Sequence, residues 1–490
     1  MIKLADNRLK EYGKEVFKKI QYKPTSSSIK PVHIANGLFR LVLGSSYNIK
    51  PLHEWSTIKY KQGKEVYPIS YIIENYDNLI DGDATNQQIS DLRYFLEAIF
   101  NADKGNYPSM DYSVLTICSK TQVNKKVQNE YKMPRFLYNI LSTKIDGQVS
   151  PCIELIKKCL EDESDDLSRL VSPIIKMVKK KIHTVEEADL DLTGVELRIR
   201  KAFDRLAYNA NYKNTNKLLS MERIILFACF SIILHLSSRI IDLSDKYDNN
   251  NRIPILFDSD RTLAPIEYAS QETVLRAKLG IEEYFENELE GILKQEGYES
   301  FTHKEMLERI NMISIADSNK IKNKTPEKEK RKEYKKLYLG FYEQSRDPFD
   351  AIIKATRFKL FSDEYSTSPS NFMTSLGRKI KLVYGKNKTS RFSPDPVLLE
   401  TILLTILEPD NRSMNLSEFG IKLWNEFGVI IGANPEIDFE NLAKWNVSQN
   451  TPGDLAGSLA QNAKKIADMY IAMGYGKRYA DGVTILGLNL

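Results

Sequence analysis

The run Ile224 to Leu236, IILFACFSIILHL, constrains this chain most: it is apolar on every side of a helix, interrupted only by Ser231 and His235. A helix without a polar face has to be covered all round, by other helices or by lipid. The run falls short of the roughly 20 consecutive apolar residues of a bilayer span. It is therefore expected to be the buried centre of a helical body, with no membrane association. The first residues, MIKLADNRLKEYGKEVFKKI, carry no apolar stretch of the secretory kind. Four cysteines among 490 residues do not make a disulfide framework. The expectation is a cytoplasmic, mainly α, multidomain protein, with a bacterial flavour in its Lys, Asn and Ile content.

Residues 1–148 form the first expected unit, α-rich with minor β. Leu9, Tyr12, Val16, Phe17 and Ile20 recur at helical spacing and predict a helix over 4–20. Further helices are expected over 32–43 and 86–100, and Val66 to Ile73 reads as a strand, with Pro68 favouring an edge. Residues 149–318 form a helical domain. Ser150-Pro151 opens its first helix, and others are expected over 167–182, 193–209, 220–244 and 270–295. Thr302 and Glu305 have capping-box spacing. Cys152 and Cys159 share a helix face and are expected as small buried side chains.

Lys320 to Arg391 holds 19 basic and 8 acidic residues, so the net charge of +5 is concentrated there. Residues 319–345 read as a basic linker or solvated helix face, and alternatively as a segment that contacts phosphates. Residues 346–393 form a connecting segment: a helix over 347–360, then an alternating run, Arg378 to Tyr384, expected as a strand.

The last unit, 394–490, reads as three helices and a hairpin. The helices are Pro394 to Leu407, a second one capped by Ser417, and Asp454 to Met473; a polar insertion over 434–453 precedes the third. Asp481-Gly482 is a favoured tight hairpin turn. This order, and the run IADMYIAMGYGKRYADGVTIL, resembles the winged helix-turn-helix family over about a fifth of the chain. The resemblance implies a third helix that enters the major groove and a hairpin against the adjacent backbone. Carried over, Gln461, Asn462 and Lys465 would face bases, Lys464 a phosphate, and Lys477 and Arg478 would be wing contacts. Two features depart from the family: the long insertion, and 7 basic against 12 acidic side chains in the unit. The acidic balance suits a protein-docking module as well.

The stretch ILFDSDRTL, Ile255 to Leu263, resembles the first motif of haloacid-dehalogenase-type phosphatases. The resemblance implies Asp258 as nucleophile and Asp260 as general acid. Arg261 stands where the family has glycine, and no paired-aspartate magnesium motif follows. No phosphate-cradling G-x-x-x-x-G-K loop and no H-E-x-x-H helix occur, so no catalytic residue, metal or cofactor is expected. The whole chain resembles accessory subunits of multi-gene phage-defence or restriction systems, through PILFDSDRTLAPIEYASQETV, RFSPDPVLLETILLTIL, SEFGIKLWNEFGVIIG and RYADGVTILGL. That resemblance implies a non-enzymatic, DNA-associated subunit with duplex DNA and protein partners, such as a motor ATPase or nuclease. The alternatives are a phosphatase built on Asp258 and Asp260, and a pure scaffold.

Overall fold

The structure is a computed structural model that describes residues 8–48, 60–62, 64–65, 85–101, 130–161, 179–210, 212, 216–248, 250–259, 261–312, 327–361, 365, 367–488 and 490. Its first helix, α1 (Arg8–Ile20), buries Leu9, Tyr12, Val16, Phe17 and Ile20 along one face, as their spacing requires. The second, α2 (Pro31–Leu43), begins at a proline and ends at Gly44, whose φ of 58° turns the chain into β1 (Ser45–Asn48). A short ribbon of β2 (Tyr60–Lys61) and β3 (Lys64–Glu65) and then α3 (Asn86–Asn101) follow. The strand expected over 66–73 lies outside the described residues.

A turn at Glu130 to Met133 leads into α4 (Met133–Ser142). It is closed by Met133 N donating to Glu130 O at 3.0 Å, with φ of 46° at Tyr131 and 66° at Lys132. Two successive left-handed residues make a type I′ turn, which asparagine and glycine ordinarily fill. Side chains there cost about 1–2 kcal/mol each. Next comes α5 (Pro151–Glu161). Residues 179–182 correct the expected helix over 167–182: they form a strand, β4 (Lys179–Ile182), antiparallel to β1 with Tyr47 opposite Lys180. Three consecutive lysines offer no apolar helix face, and the strand's backbone groups are satisfied by β1.

The centre is α7 (Lys217–Leu243), preceded by α6 (Gly194–Ala210). Every residue from Ile224 to Ser238 is buried, against α2, α5, α6 and elements that come later in the chain. Its serines avoid orphaned hydroxyls by donating one turn back, Ser231 to Phe227 O at 2.8 Å and Ser237 to Ile233 O at 2.9 Å. Longer than the apolar run alone, α7 has the length and composition to cross a membrane, and 94% of its most apolar window is buried within the protein.

After β5 (Ile255–Leu256), the long helix α8 (Ala264–Gln295) starts earlier than its periodicity suggested, at the Ala264-Pro265 step. The expected capping box opens α9 (His303–Met312): Thr302 N donates to Glu305 at 2.8 Å, and Glu305 N to Thr302 Oγ1 at 3.4 Å. The basic segment is no linker over 327–345. It is α10 (Glu327–Ser345), packed on α11 (Pro348–Lys359), with Tyr334 and Tyr338 fully buried. The expected strand over 378–384 is also shorter. Helix α12 (Pro369–Lys379) runs into it and ends in a Schellman motif, Leu382 N to Gly377 O at 2.8 Å around a left-handed Lys381. Only β6 (Val383–Tyr384) remains, antiparallel to β7 (Arg391–Phe392).

The last hundred residues comprise α13 (Pro396–Ile406), β8 (Ser413–Asn415), α14 (Leu416–Phe427), β9 (Val429–Ile430), α15 (Pro435–Lys444), α16 (Val447–Asn450), α17 (Leu455–Ala472), β10 (Gly476–Arg478) and β11 (Thr484–Gly487). Their three-stranded antiparallel sheet has the order β10-β11-β8. One apolar cluster extends from Leu9 to Leu486 and crosses the boundaries expected after 148 and 393. The carbonyl end of α13 is closed by α6, where Arg205 donates to Thr405 O at 2.6 Å and Asn209 to Leu404 O and Leu407 O at 2.9 and 2.7 Å.

Candidate nucleic-acid interface

The C-terminal helices are set by local signals. Asp395 caps α13 through Leu398 N at 3.0 Å, and Asp454 caps α17 through Gly457 N at 3.0 Å. The expected Ser417 cap is corrected: Asn415 caps α14, accepting from Glu418 N at 2.7 Å, and Ser417 bonds Asn434 instead. The insertion between α14 and α17 is folded. Leu442 and Val447 from it join Leu455 and Leu459 of α17 and Leu256, Ile266 and Ala269 of the body in a second small core. Gly432 (φ 87°) lets the backbone touch the Leu459 carbonyl, where any Cβ would collide.

The exposed side of α17 carries Gln461 and Lys464, with Lys465 half-buried beside them. Lys465 Nζ donates to Thr262 Oγ1 at the loop before α8. Past Gly474, Lys477 and Arg478 lie on β10, the outer strand of the sheet, both exposed. Arg478 pairs with Asp468 of α17 at 2.7 Å, which clamps the hairpin to the helix and cancels one of its charges. Lys477 Nζ sits 5.3 Å from the centre of the Tyr479 ring. Tyr479 and Val483 bracket the turn, bonded at 2.9 Å, and both project into solvent. Nothing in the residue spacing singled out that exposed aromatic tip.

Asn462 belongs elsewhere. Its side chain is fully buried, donating to Phe257 O at 2.8 Å and Ile431 O at 3.0 Å while accepting from Ser259 N at 3.0 Å. With its amide spent on three backbone groups, Asn462 has nothing to offer a base. It ties α17 to the ends of β5 and β9, which pair in parallel, Ile255 opposite Val429.

Asp258 closes the same junction. It is 1% exposed, ion-paired with Arg391 at 2.9 Å, and accepts from Arg261 N at 3.0 Å. Its own backbone N donates to Phe392 O at 2.8 Å, and Arg391 reaches on to Glu267 at 2.5 Å. An attacking carboxylate must reach its phosphate, whereas this one is sealed beneath a guanidinium. Asp260 lies outside the described residues. Among the described residues no group of three or more His, Cys, Asp or Glu is placed to hold a metal. Three of the four stretches that carried the whole-chain resemblance meet here: 254–274, 391–407 and 417–432 contribute Asp258, Arg391 and β9 to one junction.

His235 sits inside α7 as a satisfied core histidine, its Nδ1 2.7 Å from the Tyr22 hydroxyl and its Nε2 3.3 Å from Glu196. Burial pushes its pKa down. No family model, curated protein or solved structure matches this chain.

Proposed function

We propose that the protein is a non-enzymatic, DNA-associated subunit of a larger assembly, and that residues 394–490 act as a winged helix-turn-helix. The observation that carries this reading is topological. Helices α14 and α17 pack on a sheet in which the first strand lies beside the last, with order β8-β11-β10, and α13 packs on both helices. The order helix, strand, two helices and hairpin supports this reading, with the 434–453 insertion before the third helix. In this reading Gln461 and Lys465 remain the base-facing candidates, Lys464 meets a phosphate, and Lys477 and Arg478 are wing contacts. A multi-gene defence or restriction assembly, with a motor ATPase or nuclease as partner, remains the setting suggested by the sequence.

A second reading is favoured by other exposed side chains of the same unit. Ile421 on α14 and Ile437 and Phe439 on α15 are exposed apolar side chains in a unit of net negative charge. They suit a protein partner. Fluorescence anisotropy with a labelled duplex a few turns long, titrated with salt, separates the two. The DNA reading expects affinity that falls steeply with salt and drops about tenfold or more on reversing Lys464, Lys465, Lys477 and Arg478 to Glu. Equal affinity in that variant removes DNA from this face, and absence of binding at low salt leaves the protein-docking reading.

A further inference from the structure

We infer that the cleft between α1 and the Tyr131–Lys132 turn binds a phosphorylated nucleobase, either a free nucleotide or the end of a single strand. The inference is independent of the C-terminal face. The cleft holds about 610 Å³, within the range of small-molecule sites.

One wall is α1, where Lys10, Lys14 and Lys18 recur every four residues on the face opposite the buried one. Such spacing sets cations about 6 Å apart along the helix. The facing wall is the turn and the start of α4, with Lys132 and Arg135. Glu130, the only carboxylate among the described lining residues, is held by Arg40 through two bonds of 2.6 Å, and Lys14 is paired with Glu11 of its own helix at 2.6 Å. The described lining residues therefore carry a net positive charge, which suits a polyphosphate.

Charge alone would suit any polyanion, but the floor is aromatic. Lys23 Nζ lies 4.6 Å from the Tyr365 ring centre and 5.9 Å from those of Tyr131 and Phe17. Tyr131 and Tyr365 are part-exposed in the cleft, and a base stacked there would share the rings with the Lys23 ammonium. The backbone adds a separate observation. Tyr131 and Lys132, both lining residues, occupy the two left-handed positions of a turn where glycine or asparagine would be unstrained. The chain keeps a ring and an ammonium there against its conformational preference, as strained residues at ligand sites do.

The test uses the full chain, with ATP and sodium tripolyphosphate followed by calorimetry and fluorescein-labelled dT12 by anisotropy. The variants are Lys14→Glu with Lys18→Glu, both exposed positions, and Tyr131→Gly, which relieves the turn while removing a ring packed on the core, so its melting point is measured alongside. Saturable ATP or dT12 binding is expected, weakened about tenfold or more by the double reversal. Tyr131→Gly should weaken it about fivefold or more while leaving tripolyphosphate unchanged. Tighter ATP than dT12 identifies a free nucleotide, and the reverse a strand end. The inference is overturned if neither probe binds at about 1 mM in low salt, or if the double reversal changes nothing. It is equally overturned if Tyr131→Gly leaves ATP affinity intact, or if dT12 binding responds only to the C-terminal four-charge variant.

Discussion

Replacing Asn462 by Ala separates a residue that reads DNA from one that holds the fold together. The amide makes three hydrogen bonds to backbone groups of two other segments, at 2.8, 3.0 and 3.0 Å, with no exposure to water. Each bond contributes about 1 kcal/mol net, and a buried group left without a partner costs about 1–3 kcal/mol. With partial relaxation, a loss of about 3–5 kcal/mol follows. Unfolding entropy near 2.1 cal/mol/K per residue amounts to roughly 1 kcal/mol/K for a chain of this length melting as one unit. The expected fall in Tm is then about 3–5 °C, and more if the C-terminal helices melt first. Asn462→Asp sharpens the test, since it sets a carboxylate against the Phe257 and Ile431 carbonyls. Its deficit should shrink on acidification, as protonation restores one donor. Calorimetry gives the melting points, and duplex anisotropy gives the affinity of the folded variant. If Asn462→Ala melts within about 1 °C of wild type yet loses DNA affinity, the side chain reads a base and its structural assignment is wrong.

Asp258→Ala should cost about 1.5–3 kcal/mol, because it removes one of the two carboxylates paired with the buried Arg391 guanidinium and leaves Glu267 alone to hold it; a urea midpoint equal to wild type would show that the pair is dispensable. His235 should make folding weaken in acid. Burial holds its folded pKa below the unfolded value near 6.5, so its contribution is complete above that pH and is lost as the unfolded chain takes up the proton below it. The fall in Tm between pH 7.5 and 5.5 should be smaller in His235→Gln than in wild type, and parallel profiles would exclude the histidine as its source.

What the sequence revealed was local. The five apolar residues of α1, the Thr302–Glu305 capping box and the Asp481-Gly482 turn each declare themselves within one or two helical turns, where spacing and capping chemistry operate. Helix α10 was legible but obscured. Its charges drew attention to 321–336, while Tyr334, Leu337, Tyr338 and Phe341, at steps of three and four, continue past that run and dock the helix. Strand β4 was hidden for a physical reason: three lysines pair with β1 through backbone alone, and backbone pairing leaves no trace in side-chain period. Asn462 was misread because its surroundings come from residues 257, 259 and 431. A polar residue on a helix looks the same in sequence whether it meets solvent or a distant carbonyl.

That distance also bears on how the C-terminal helices work. A winged helix on a flexible tether carries its own core, and mutations in it leave the rest of the chain undisturbed. Here Asn209 and Arg205 of α6 close the end of α13, β9 pairs with β5, and Asn462 fastens α17 to both. Any load on the exposed face of α17 is therefore passed to α6, α7 and α8 with little independent movement, because buried backbone hydrogen bonds and close-packed apolar contacts deform little before they break. A partner or DNA seated on Gln461, Lys464 and the β10–β11 hairpin would stabilise the whole body, not the last hundred residues alone. Conversely, losses of binding caused by substitutions in this region carry functional meaning only when the melting point of the entire chain is unchanged.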